Sequence, residues 1–150
     1  MSSTSTSTSA SASANGHLGV CGDALALPFP TGSIDLVACS LLAHHFPADP
    51  LRTLLRELDR VARHRVVVVD LRRSWVAAAG IWLASFPLGF HPISRHDGRV
   101  SVLRAFTPAE LRRHITDATG AHATVTKRAG YRLLATWCPA ATVHTPATTT

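Results

Sequence analysis

Two adjacent histidines, His44 and His45, are the residues of this chain best suited to proton transfer. They follow the apolar run at residues 34–41, which predicts a strand buried on both faces. An imidazole changes charge near neutral pH and can remove a proton from an oxygen or nitrogen atom. A pair of histidines that only stabilises a loop is an equally good interpretation of the sequence.

Two aspartates also come after predicted strands. Asp23 and Gly22 follow the apolar run at 18–21, and Asp70 ends the valine run at 66–69. Open α/β sheets bind ligands beside the carboxyl ends of their strands, which makes both aspartates candidate binding residues. Asp23 equally suits a turn that its own side chain closes, and Asp70 equally suits a cap for the turn that follows it.

The chain alternates between predicted strands and predicted helices. The strands are expected at residues 18–21, 34–41 and 66–71, with a final hairpin formed by residues 123–127 and 131–137. Helices are expected after Asp49 as N-cap, after Ser74, and after Thr107, where Glu110 closes a capping box and Gly120 ends the helix. This order predicts an α/β layer sandwich.

The loop at residues 22–30, Gly-Asp-Ala-Leu-Ala-Leu-Pro-Phe-Pro, precedes Ile34-Asp35-Leu36-Val37. Together they resemble the middle of a class I S-adenosylmethionine (SAM) dependent methyltransferase of type 11, and the resemblance extends over residues 18–137. It implies a Rossmann-like sandwich with a mostly parallel sheet and a C-terminal antiparallel hairpin. It also implies SAM as cofactor and a small molecule as methyl acceptor.

The resemblance assigns roles to individual residues. Asp23 would accept a hydrogen bond from the adenine amino group, and the backbone of Ala24 would contact the ring. Ser40 would lie beside the methionine part of SAM. His44 and His45 would face the cofactor or the acceptor, as the candidate catalytic residues.

The Gly-rich turn, the first strand and the acidic residue after the second strand of that family have no counterpart in this sequence. We therefore expect a truncated domain, which is either a fragment or the product of a misassigned start. It would have only half of a cofactor site, and inactivity of this chain alone is one of the expected outcomes. We expect residues 18–21 either to pair with residues 34–40 or to remain unpaired. If they do not pair, residues 34–40 would form an exposed apolar sheet edge. The alternative function is a non-catalytic remnant or interaction module that associates through this edge, including with itself.

Composition divides the chain of 150 residues into three parts. Residues 1–15 form a Ser/Thr/Ala tract and residues 139–150 a similar tail, and both are expected to be disordered because they have little apolar surface to bury. Residues 16–138 are expected to form the partial methyltransferase domain. The three cysteines are widely spaced and odd in number, which favours a reducing cytoplasm over a disulfide framework.

The net charge of +6 raises the question of nucleic acid. The arginines are spread along the chain without interleaved aromatics, so no nucleic-acid partner is expected. No apolar run reaches the roughly 18 residues that a membrane span requires. The nine histidines show no ligand spacing, and no metal is expected.

Overall fold

The computed structural model of the protein describes residues 9–12, 18–74 and 105–139. The strands in these ranges are β1 (Ser9–Ala12), β2 (Leu18–Cys21), β3 (Ile34–Ser40), β4 (Ala62–Leu71), β5 (Thr124–Arg128) and β6 (Arg132–Trp137). The helices are α1 (Ala48–Val61) and α2 (Pro108–Thr119), and one 3₁₀ turn spans Ala43–His45. The helix expected after Ser74 lies outside the described residues.

Four of these strands form one sheet in the order β3-β4-β6-β5. β3 runs parallel to β4, whereas β6 is antiparallel to both of its neighbours. Three strands therefore point the same way and only β6 is reversed. The expected α/β sandwich, with a mostly parallel sheet and a C-terminal antiparallel hairpin, is confirmed.

Both described helices pack on one face of this sheet. The α1 residues at helical spacing are fully or almost fully buried, and they are Leu51, Leu54, Leu55, Leu58 and Val61. α2 contributes Leu111, Ile115 and Ala118, as expected. Alternate residues of β4 and β6 complete the core from the sheet side, and they are Val66, Val68, Leu133, Ala135 and Trp137.

The ends of the helices partly match the sequence expectations. The Thr107 hydroxyl accepts from the Glu110 N–H, and the Glu110 carboxylate accepts from the Thr107 N–H, so the predicted capping box is confirmed. Gly120 ends α2 with a positive φ of 74°. The expected N-cap of α1 was wrong: Pro47 is the N-cap, without a side-chain bond, and Asp49 lies in the first turn.

The pairing of β2 differs from the expectation. β2 pairs antiparallel with β1 in a separate two-stranded sheet, and it is therefore neither unpaired nor paired with β3. For Ser9–Ala12 the structure has a strand in place of the expected disorder. The domain bounds at 16 and 138 remain predictions.

β3 is an edge strand of the four-stranded sheet among the described residues, as expected. Leu36 on this strand is 55% exposed, and Ala38 is also exposed. An unpaired apolar edge is a site where another chain can add a strand.

The loop at residues 22–30 is fastened to α1 by a charged pair. The Leu27 N–H donates to Oε2 of Glu57 at 2.9 Å. Arg60 donates to the carbonyls of Phe29 and Leu27 at 2.8 and 3.0 Å, and to the Glu57 carboxylate at 2.7 Å. These bonds fasten the loop to the carboxyl-terminal half of α1, and the hydrogen bonds from Arg60 hold the pKa of Glu57 below its usual value.

Glu57→Gln should weaken this fastening in a pH-dependent way. Because the folded-state pKa of Glu57 is lowered, its stabilising contribution is present above the unfolded value near 4.5 and is lost as the pH falls through the folded value. We expect a cost of roughly 1 kcal/mol in the free energy of unfolding at pH 7, since the pair is partly solvated. Urea denaturation at pH 7 and pH 3 measures it.

The matched control for this prediction is Asp117→Asn, at an exposed carboxylate on α2. The difference in the free energy of unfolding between Asp117→Asn and wild type should be the same at pH 7 and pH 3. A Glu57→Gln difference that does not shrink between pH 7 and pH 3 would contradict the assigned role.

Candidate functional site

The chain turns sharply between β3 and α1, and this turn positions the histidines. Leu41 adopts a positive φ of 54°, which is uncommon for a residue with a branched side chain. Its N–H donates to the Val69 carbonyl at 2.8 Å, so the turn is fastened to β4. The 3₁₀ turn Ala43–His45 follows directly and places His44 against the carboxyl end of β4.

His44 and Asp70 form a buried pair at that end. Nδ1 of His44 lies 2.6 Å from Oδ1 of Asp70, and the side chains are 5% and 0% exposed. Oδ2 of Asp70 accepts from the backbone N–H of His44 at 3.1 Å. Since a carboxylate only accepts hydrogen bonds, the contact places the proton on Nδ1 and leaves the lone pair of a neutral ring on Nε2.

Both alternatives for Asp70 have a counterpart in the structure. Its Oδ1 accepts from the N–H of Leu71 at 2.6 Å, which is a local contact of the capping kind. It also contacts His44, which comes from a different strand end. The sequence placed both residues after neighbouring strands, and that shared position was the signal from which the pair could have been found.

The two histidines share a cavity of about 340 Å³. His45 is exposed, and its ring centroid lies 4.0 Å from that of His44. Phe46, Pro47 and Phe106 complete the described lining. A small molecule held here would meet an imidazole that is oriented from behind by a carboxylate, which is an arrangement suited to general base catalysis.

Asp23 has the local contact expected of a turn residue. Its Oδ1 accepts from the N–H of Leu25 at 2.8 Å, and its side chain is exposed. The structure therefore has the turn contact of Asp23. The contact of Asp23 with adenine remains a prediction.

Ala24 and Ser40 lie on a second cavity, of about 450 Å³, beside β3. Cys39 and Leu42 line the same end, so the structure brings together two of the three residues expected to contact the cofactor. Burial, and secondarily the charge of Asp70, raises the pKa of the Cys39 thiol to about 11, and this keeps the thiol neutral and unreactive.

This second cavity extends beyond Ala24 and Ser40. It continues along β3 and over α1, where its lining is entirely apolar: Ile34, Leu36, Leu54, Leu58 and Val61. Ser40 therefore contributes a hydroxyl to a lining that is otherwise apolar apart from the Cys39 thiol.

In residues 9–12, 18–74 and 105–139, no group of three or more His, Cys, Asp or Glu side chains could hold a metal ion. None of the helices in these ranges is long and apolar enough to cross a membrane.

Several solved structures share this fold. A putative O-methyltransferase from Nostoc punctiforme PCC 73102 matches with a TM-score of 0.54 and 17% identity, over 78% of this chain and 34% of that chain. A SAM dependent methyltransferase from Aquifex aeolicus matches with a TM-score of 0.52 and 16% identity, over 79% and 52%. The structure described as PigF with SAH matches with a TM-score of 0.52 and 16% identity, over 77% and 37%.

At these identities the likeness shows the fold alone, and the chain spans between a third and about half of those proteins' lengths. No curated protein sequence was found to match. The family described as methyltransferase domain matches residues 2–79. This match covers just over half of the residues, and the chain belongs to that methyltransferase family.

Proposed function

We propose that this chain is a SAM-dependent methyltransferase domain acting on a small molecule, with His44 as the general base. The observation that supports this proposal most strongly is the buried His44–Asp70 pair, whose ring lines a cavity at the carboxyl ends of β3 and β4. Membership of the family and the shared fold support the reaction class.

The residues present fit the adenosine part of SAM. The second cavity, whose lining includes Ala24, Cys39 and Leu42, is mostly apolar, as the face of a purine requires. Its volume of about 450 Å³ is within the usual range for small-molecule sites, roughly 300–1,000 Å³. The side chain of Asp23, beside Ala24, would accept from the adenine amino group.

When bound, SAM would supply an electrophilic methyl group. The chain's own contribution is then to hold the acceptor at near-attack distance from it, which can contribute roughly 7–11 kcal/mol. Nε2 of His44 would take the proton from the attacking oxygen or nitrogen. Asp70 would hold the ring in the required tautomer and stabilise the imidazolium that forms.

Isothermal titration calorimetry with SAM tests the proposal directly. Wild type should bind saturably, and Asp23→Asn should weaken the affinity roughly 5-fold, about the free energy of one hydrogen bond. The asparagine oxygen can still accept from Leu25, so the turn is kept while an amide donor replaces the acceptor for the adenine amino group.

No heat of binding at millimolar SAM would contradict the enzyme proposal for this chain. Equal affinity of wild type and Asp23→Asn would leave Asp23 with its turn role alone.

His44→Gln should remove the base and leave cofactor binding intact. With a panel of small phenols and amines as acceptors, we expect kcat to fall roughly 100- to 10,000-fold while SAM affinity changes less than 2-fold. Formation of S-adenosylhomocysteine is the readout. Asp70→Asn should also lower kcat, because it loses the carboxylate that fixes the tautomer.

His122→Gln, at an exposed histidine before β5, is the matched control and should retain wild-type activity. If His44→Gln were as active as His122→Gln, the histidine pair would be structural only.

A second candidate function is association through the β3 edge, as a non-catalytic interaction module. The exposed Leu36 and the apolar end of the second cavity support it. Residues 36–40 of this edge carry no charged residue and no proline, while Asp35 and a register irregularity between Ile34 and Leu36 are confined to its amino end. Two copies of the chain could join their sheets at this strand.

Leu36→Lys should abolish such self-association. The test is analytical ultracentrifugation at protein concentrations of about 10–100 µM. Wild type should show a concentration-dependent dimer, and the variant should be a monomer. Thr53→Lys, at an exposed position of α1, should behave as wild type. A monomeric wild type throughout this range would exclude a second copy as the occupant of the edge.

A further inference from the structure

Arg72 stands directly after β4, two residues beyond Asp70. Side chains two residues apart on extended backbone lie on the same face, roughly 6.5 Å apart along the strand. The N–H of Arg72 donates to the Tyr131 carbonyl at 2.7 Å, and its backbone forms a parallel bridge with Phe106. Phe106 in turn lines the cavity that contains His44. The backbone of Arg72 is therefore paired with a residue that lines the candidate acceptor site.

The guanidinium of Arg72 is held in place but lacks an acceptor. Its Nε is buried and has no hydrogen-bond partner among residues 9–12, 18–74 and 105–139. Its Cζ lies 5.2 Å from the centroid of the Tyr131 ring, within the range of a cation–π contact. A buried donor without an acceptor loses its hydration without compensation, and such a group calls for an explanation.

In other arginines of the described chain, the Nε atom has a hydrogen-bond acceptor. Nε of Arg56, Arg63 and Arg73 each donates to a backbone carbonyl, at 3.0, 3.0 and 2.8 Å, and Nε of Arg60 donates to Glu57. Asp70, two residues before Arg72, bonds His44, and Glu110 bonds Arg73. Within the described residues, the positively charged Arg72 therefore has an Nε donor that no acceptor satisfies.

Tyr131 adds a second, independent feature at this point. It has a positive φ of 55° although it carries a bulky side chain, and it is 41% exposed. This backbone belongs to the turn of the β5–β6 hairpin, in which Gly130 also has a positive φ of 72°. The aromatic ring of Tyr131 lies over the guanidinium of Arg72.

We propose that Arg72 binds the carboxylate of a small organic acid, and that this acid is the methyl acceptor presented to His44. Nε and one terminal nitrogen of arginine match the two oxygens of a carboxylate. A single unpaired arginine also balances the single charge of a carboxylate better than the double charge of phosphate. The carboxylate site itself is independent of the enzyme proposal, while the role of the acid as acceptor depends on it.

The experiment follows the Nε–Hε signals of arginine by ¹H–¹⁵N NMR in the full chain. Sodium benzoate is titrated against sodium phosphate, with sodium chloride keeping the ionic strength constant. The Arg72 signal is assigned by its loss in Arg72→Lys. We expect a saturable shift of this signal with benzoate, at least 5-fold weaker binding of phosphate, and no saturation at Arg112, an exposed arginine of α2.

An Arg72 signal that follows benzoate no differently from that of Arg112 would overturn the proposal, and so would tighter binding of phosphate than of benzoate. Tyr131→Phe keeps the ring and should bind benzoate as wild type does, whereas Tyr131→Ala should bind it at least 3-fold more weakly. These readouts need no cofactor. Benzoate binding by a chain that fails to bind SAM would support the carboxylate site and contradict the enzyme proposal alone.

Discussion

The carboxylate of Asp70 joins the two strand ends on which the candidate site depends. It is completely buried and accepts from the ring of His44, from the His44 backbone and from Leu71. A buried carboxylate without such partners would be strongly destabilising, so the turn after β3 must close in the way that supplies them. The same contacts that satisfy Asp70 orient His44, so the interaction that stabilises the turn is also the one on which the proposed role of His44 depends.

β3 bears a different constraint, because it has a strand neighbour on one side only among the described residues. Its carboxyl end, at Ser40, belongs to the candidate cofactor site, while its exposed Leu36 belongs to an apolar surface. The Glu57–Arg60 pair holds the 22–30 loop over the same groove from the α1 side. Ligand binding and strand addition would thus use neighbouring parts of one groove, and a partner at the edge would affect the geometry of the cofactor end.

Local signals in the sequence predicted most of the fold. The Thr107–Glu110 capping box and the alternating pattern of the final hairpin are encoded within a few residues, and both are found as expected. The start of α1 was misplaced because Asp49 suits an N-cap locally, whereas the structure begins the helix after Pro47. The pairing of β2 with Ser9–Ala12 was missed because a Ser/Ala tract has no apolar pattern to indicate a strand.

The candidate site was predictable only in part, for a physical reason. Strand ends can be located from sequence, and the sequence therefore predicted that His44 and Asp70 lie at the same edge of the sheet. Their contact depends on the sharp turn at Leu41, and the unsatisfied Nε of Arg72 depends on packing. Neither the turn nor the packing has a signature in residue type or spacing.

The proposed function depends on a cofactor and acceptor site at the carboxyl ends of β3 and β4. The decisive measurement is a ¹H–¹⁵N chemical-shift map of the full chain, titrated with S-adenosylhomocysteine. Saturable shifts should be concentrated at the backbone amides of Ala24 and of residues 40–45. Saturable shifts confined to α2 and the β5–β6 hairpin, or no saturable shifts at millimolar ligand, would contradict it.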